Sequence, residues 1–169
     1  MKKVKILIGI LIAIVLITSF LICYILRYPL FSYEKNYFEK IGIKGGCSYR
    51  NVIANKGEPL RKEVNDNFFI IHYDGLKLGF VEKNANIKDN PSDVMSYADI
   101  TGKQYRFGRQ NIGVGSTRKE VESVYKHIRK ITGMQKNRFG VIDKGKWVKY
   151  TFNDENLVSE ITILVGGGP

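Results

Sequence analysis

The hydrophobic pattern changes character three times along the chain. From Ile6 to Leu26 (ILIGILIAIVLITSFLICYIL) it is continuous, 21 residues without a charge. A helix of that length rises roughly 30 Å, the thickness of the bilayer hydrocarbon, and this predicts a transmembrane helix. A cleavable signal would have an apolar region of roughly 7 to 15 residues and small residues at the cut. Cys23-Tyr24-Ile25-Leu26 supplies no such site, and Ile22 stands where a lipoprotein signal needs a small residue. Lys2, Lys3 and Lys5 before the run place the amino terminus in the cytoplasm and the remainder outside. Arg27 to Tyr33 (RYPLFSY) reads either as an interfacial aromatic collar or as the first apolar contact of the folded part.

Helical spacing follows. SYEKNYFEKIG predicts a short helix capped by Ser32, with Tyr37, Phe38 and Ile41 on one side and Gly42 at its end. Ser48 then caps a helix whose Tyr49, Val52, Ile53 and Lys56 share a face, stopped by Gly57-Glu58-Pro59. Alternation takes over in LRKEV, NFFIIHY and LKLGFVEK, separated by Asn65-Asp66-Asn67 and by the hairpin signal Asp74-Gly75. Asn84 to Asp93 is a polar loop, and Met95 to Thr101 is again a strand. KQYRFGRQN reads as extended. Thr117 and Glu120 then form a capping box ahead of Val121, Val124, Tyr125, Ile128 and Ile131, which predicts a helix ending at Gly133. RFGVID, a Lys144-Gly145 turn, KWVKYTF, a turn at Asn153 to Asn156 and LVSEITILV close the pattern, and the final Gly-Gly-Gly-Pro has nothing to bury.

IKGGCSYRNV (Ile43 to Val52) and IGVGSTRKEV (Ile112 to Val121) match in outline at an offset of 69 residues, and each opens a helix followed by strands. The fold class expected is therefore α+β: an N-terminal transmembrane helix followed by two tandem modules, each a helix plus a three-stranded antiparallel sheet. The expected boundaries are 1–27 for the cytoplasmic stub and anchor, 28–42 for a juxtamembrane segment, 43–102 and 103–165 for the modules, and 166–169 for the tail. The Gly-[Ser/Thr]-x-x-x-Val helix start, the Gly57-Glu58-Pro59 stop and the meander after it resemble the BamE/SmpA outer-membrane assembly lipoproteins. The tandem arrangement is similar to the β-lactamase inhibitory protein. That resemblance covers about residues 43 to 165 and implies an extracytoplasmic, protein-binding, non-enzymatic module. The second half departs from it in lacking the Gly-x-Pro stop.

Charge adds a location for binding. The formal net charge is +11. Residues 28–102 carry ten basic and ten acidic side chains, whereas residues 103–149 carry thirteen basic and three acidic ones. Arg118, Lys119, Lys126, Arg129, Lys130 and Arg138 are the candidate binding residues, because such a concentration attracts acidic proteins, anionic lipid or anionic wall polymer. Nucleic acid is not expected outside the cell. Cys47, near Lys44 and Arg50 at a helix start, is the one candidate nucleophile, and it equally fills the place that Ser116 takes in the second half. With Cys23 inside the apolar run, no intrachain disulfide is expected. His72 and His127 read as solvent-facing. No metal-ligand spacing, phosphate loop or cofactor motif is visible, so no cofactor or metal is expected.

Overall fold

Alternating side chains need a partner strand on each side, and the computed structural model shows how the strands of this chain find theirs. It describes residues 15, 17–19, 33–34, 36–44, 47–65, 68–81 and 95–165. The chain divides into two units, Met1–Ser32 and Tyr33–Pro169. In the first, residues 15 and 17–19 are helical. No helix among the described residues is long and apolar enough to cross a membrane, which corrects the expected transmembrane helix and signal-anchor. The rest of the run from Ile6 to Leu26, like Ser32 and the polar loop expected from Asn84 to Asp93, lies outside the described residues.

The second unit contains α1 (Tyr37–Lys40), α2 (Tyr49–Lys56), β1 (Arg61–Asn65), β2 (Phe68–Tyr73), β3 (Leu76–Val81) and β4 (Met95–Ile100). After a two-stranded ribbon of β5 (Arg106–Phe107) and β6 (Ile112–Gly113) come α3 (Arg118–Val124), β7 (Arg129–Lys130), β8 (Arg138–Asp143), β9 (Lys146–Phe152) and β10 (Val158–Leu164). Eight strands form one sheet in the order β1-β2-β3-β4-β10-β9-β8-β7, antiparallel throughout. This overturns the two separate helix-plus-three-strand modules. Left alone, β4 and β10 would each present an open edge beside apolar side chains. They pair with each other instead, Ile161 opposite Ile100 and Ile163 opposite Ala98, and a single core results.

Side chains of one parity supply that core: Phe69 and Ile71, Leu76, Leu78 and Phe80, Ala98 and Ile100, Ile161 and Ile163, Val148, Tyr150 and Phe152, and Phe139 and Val141. Tyr37, Ile41, Val52, Val121, Tyr125, Phe107 and Ile112 pack on them from the helices and the ribbon. The ring of Tyr33 lies 4.8 Å from that of Tyr125, and its hydroxyl donates to the Phe107 carbonyl at 2.7 Å, so Tyr33 is an inner contact of the folded part.

Local signals mostly act as their chemistry predicts. Ser48 Oγ accepts from the Asn51 N–H, and the Thr117–Glu120 capping box is formed in both directions. Lys144 and Gly145 both take positive φ, 48° and 72°, in the tight turn between β8 and β9. The helix expected to reach Gly133 ends early, at Val124. Arg129 and Lys130 pair with Ile142 and Val141 of β8, and this ladder outweighs the helical spacing of Ile128 and Ile131. The first helix begins at Tyr37, after an Asn36 that makes no side-chain cap.

One polar chain runs through the apolar core. Tyr37 Oη donates to Asp143 Oδ2 at 2.8 Å, and the Glu34 N–H donates to the same oxygen at 3.2 Å. Tyr37 and Tyr125 hydroxyls are 2.9 Å apart, and those of Tyr125 and Tyr150 are 2.8 Å apart. Each hydroxyl has one proton to give. With that of Tyr37 committed to Asp143, Tyr125 must donate to Tyr37 and Tyr150 to Tyr125. Burial pushes all three phenols above their ordinary pKa, so they stay protonated as the chain requires.

That directionality is testable. Asp143→Ala removes the acceptor of two buried donors and is expected to cost about 3 kcal/mol in urea denaturation. Tyr150→Phe removes only the last donor and is expected to cost about 1 kcal/mol. Equal losses for the two variants would contradict the assigned direction.

Candidate functional site

The capped helix α3 and the turn between β9 and β10 come together by backbone pairing: the Arg118 N–H donates to the Asn156 carbonyl at 2.9 Å, and Thr117 bridges to Leu157. Between them lies an open groove of about 690 Å³. Arg118, Lys119 and Lys130 supply its positive groups, Glu122 and Glu155 its negative ones, and Thr117, Ser123 and Asn156 neutral hydrogen-bonding groups.

The three cations are not equivalent. Arg118 is held in place: its Nη2 donates to the Lys136 carbonyl at 2.6 Å, its Nη1 lies 3.3 Å from Glu122 Oε1, and its guanidinium stacks 4.3 Å from the centre of the Phe152 ring. It shapes the wall of the groove. Lys119 and Lys130 are exposed, and neither has a carboxylate within ion-pair distance among the described residues. Lys130 Nζ sits 5.8 Å from the Phe139 ring centre, a contact that leaves the ammonium in solvent. The N–H of Thr117 is taken by Glu120 Oε2 at 2.7 Å, so the start of α3 is already satisfied and the positive character belongs to side chains.

Of the six residues expected to bind, the groove gathers Arg118, Lys119 and Lys130. Lys126 is exposed beyond the end of α3 and does not line it. Arg129 and Arg138 stand opposite Ile142 and Thr151, on the face of the sheet turned away from the core. The spacing of the sequence could not place Arg129 there, because helical spacing continues through residue 131 where a strand begins at 129. Glu155 and Asn156 were legible only as a polar turn. Their place beside α3 depends on pairing across about forty residues, for which no local signal exists.

The other candidates separate cleanly. Cys47 is half-buried, and burial pushes its thiol up, with Lys146 pulling the other way. His72 Nε2 lies 3.2 Å from Glu63 Oε2 but off-line for a hydrogen bond, on the face away from the core. His127 is exposed. No group of three His, Cys, Asp or Glu side chains that could hold a metal ion occurs among the described residues.

No known protein family matches the chain, and no curated protein matches it either. Among solved structures it is similar to an extracellular protein containing an SCP domain from Bacillus anthracis, with 13% identity and a TM-score of 0.48, over 70% of this chain and 43% of that one. It is also similar to the DUF4309 family protein YjgB from Bacillus subtilis, with 20% identity and a TM-score of 0.42, over 70% of this chain and 78% of that one. The chain thus spans less than half the length of the first of these.

A raised thiol pKa means less thiolate at neutral pH in the folded chain than in the unfolded one. In a Cys23→Ser background, Cys47 is therefore expected to react with a thiol-specific disulfide reagent more slowly when folded than in urea. The gap should persist as pH rises through the ordinary thiol range. Faster reaction of the folded chain at neutral pH would restore Cys47 as a nucleophile.

Proposed function

We propose that this chain is a non-catalytic binding protein that acts outside the cytoplasm and recognises an acidic segment of an envelope protein in the groove between α3 and the β9–β10 turn. The observation that carries the reading is the convergence of Lys119 and Lys130, from a helix and an edge strand, on one groove with no carboxylate partner among the described residues. Two unmatched ammonium groups lining one groove are a source of attraction and register for an anionic partner. Glu155 in the same lining, with Glu122 already facing Arg118, favours a peptide of mixed charge over a uniform polyanion such as anionic lipid or wall polymer. Non-catalytic action is supported by the upward push on the Cys47 thiol.

Crosslinking in intact cells and capture of the full chain are expected to recover one stoichiometric envelope protein. Reversing both charges, Lys119→Glu with Lys130→Glu, should lower that recovery about tenfold or more, the effect of at least 1.4 kcal/mol. Arg50→Glu on α2 serves as the control for net charge and should change it little. Recovery that is indifferent to the double reversal would remove the groove from the interaction.

A further inference from the structure

The eight-stranded sheet ends on β7 at one side and on β1 at the other. β7 is only Arg129 and Lys130, both exposed, and so short and basic an edge offers little to a further strand. β1 is different. It runs over five residues, one side is taken by the ladder to β2, and among the described residues neither a strand nor a loop backbone bonds to its other side. Within Tyr33–Pro169, the large apolar side chains left exposed among the described residues are Leu60, at 78%, and Val64, at 60%. Both belong to this one edge.

The stretch Leu60-Arg61-Lys62-Glu63-Val64 is ordered symmetrically about Lys62. Opposite charges stand one position to either side, and apolar residues two positions to either side. Arg61 and Glu63, on the face away from the core, pair with each other within the chain. Lys62 Nζ donates to Glu58 Oε2 at 2.9 Å, so the central charge is also met within its own chain. Glu58, Arg61, Lys62 and Glu63 together carry no net charge, in contrast to the basic excess of residues 103–149.

We propose that β1 pairs antiparallel with β1 of a second copy about a two-fold axis through Lys62, so that two eight-stranded sheets run on as one. A two-fold interface has to be self-complementary. In this register Arg61 of each copy faces Glu63 of the other, and Leu60 of each stands level with Val64 of the other. Neighbouring registers fail. Moving the axis to Glu63 or to Arg61 sets like charges directly across from each other. An axis between two residues would turn the core face of one copy against the outer face of the other. A strand added from an unrelated protein would need complementary charges but no symmetry about Lys62, and the symmetry is what this edge has.

The full chain is followed by sedimentation equilibrium at concentrations up to about 1 mM, in a density-matched neutral detergent that masks the uncharged run from Ile6 to Leu26. A monomer–dimer equilibrium is expected. Arg61→Glu and Glu63→Arg, each alone, should weaken it about tenfold or more, and the two together should restore it. Urea midpoints of the single variants should move no more than loss of an exposed ion pair allows, which separates loss of pairing from loss of fold. In a Cys23→Ser, Cys47→Ser background, Lys62→Cys lies on the axis and should link to its own counterpart under mild oxidation, whereas the exposed Lys126→Cys should not. Lys119→Glu with Lys130→Glu should leave the equilibrium unchanged, since the groove takes no part. A chain that stays monomeric throughout would overturn the proposal. So would a dimer indifferent to Arg61→Glu, or one that the double exchange fails to restore.

Discussion

The pairing of β4 with β10 is the constraint on which the rest of the structure depends. Each is the last strand of its own meander, and each carries apolar side chains up to its edge, Met95, Ala98 and Ile100 on one and Ile161 and Ile163 on the other. An unpaired strand of that kind is an invitation to aggregation. Hydrogen bonding across the seam removes both edges at once and aligns the two core faces, so that α1, α2, α3 and the β5–β6 ribbon cover one continuous apolar surface. It also makes the opposite face continuous. The row from Tyr97 through Leu164 to Trp147 crosses the seam, and neither half contains it alone.

What fastens the covering layer to the sheet is partly polar. Asp143 is buried, and its Oδ2 accepts from Tyr37 and from the backbone of Glu34. A buried carboxylate is costly when its hydrogen bonds are not made, and here they come from α1 and the residues just before it, which must dock there. Tyr125 and Tyr150 continue the chain of donors to α3 and β9. The arrangement works in only one register of α1 and α3 on the sheet, because displaced hydroxyls would find no partner among aliphatic neighbours. Apolar contacts alone tolerate sliding, so the directional bonds contribute specificity beyond their net stability.

Much of this was legible locally. The Ser48 cap, the Thr117–Glu120 box and the Asp74-Gly75 and Lys144-Gly145 turns are properties of a few adjacent residues, and they appear where their chemistry puts them. The division into two modules was an inference about which edges pair, and edge pairing is decided by contacts about sixty residues apart that no periodicity records. The length of α3 failed for a related reason. Val121 and Tyr125 are core residues at helical spacing, and Ile128 and Ile131 continue that spacing although a strand begins between them. For the site, the list of cations could be read, but not the side of the sheet on which each stands. That follows from period 2, in which Arg129 and Lys130 necessarily point to opposite faces.

The same alternation explains why a single basic segment provides two different surfaces. Residues 103–149 carry three acidic groups against thirteen basic ones, and the three are largely spoken for. Asp143 is buried among tyrosines, Glu120 is tied to the start of α3, and Glu122 faces Arg118. The field that reaches solvent is therefore less opposed than the formal count implies. It divides at β7: Lys130 turns toward α3 and the groove, Arg129 toward the aromatic row. Attraction over a Debye length of about 8 Å is common to both sides and cannot discriminate between partners. Discrimination has to come from what surrounds the charge. In the groove that is Glu122 and Glu155 among neutral hydrogen-bonding groups, and on the face away from the core it is the half-buried row of Tyr97, Leu164, Trp147 and Ile142. The alternating strand thus divides one positive field between two surroundings of different chemistry.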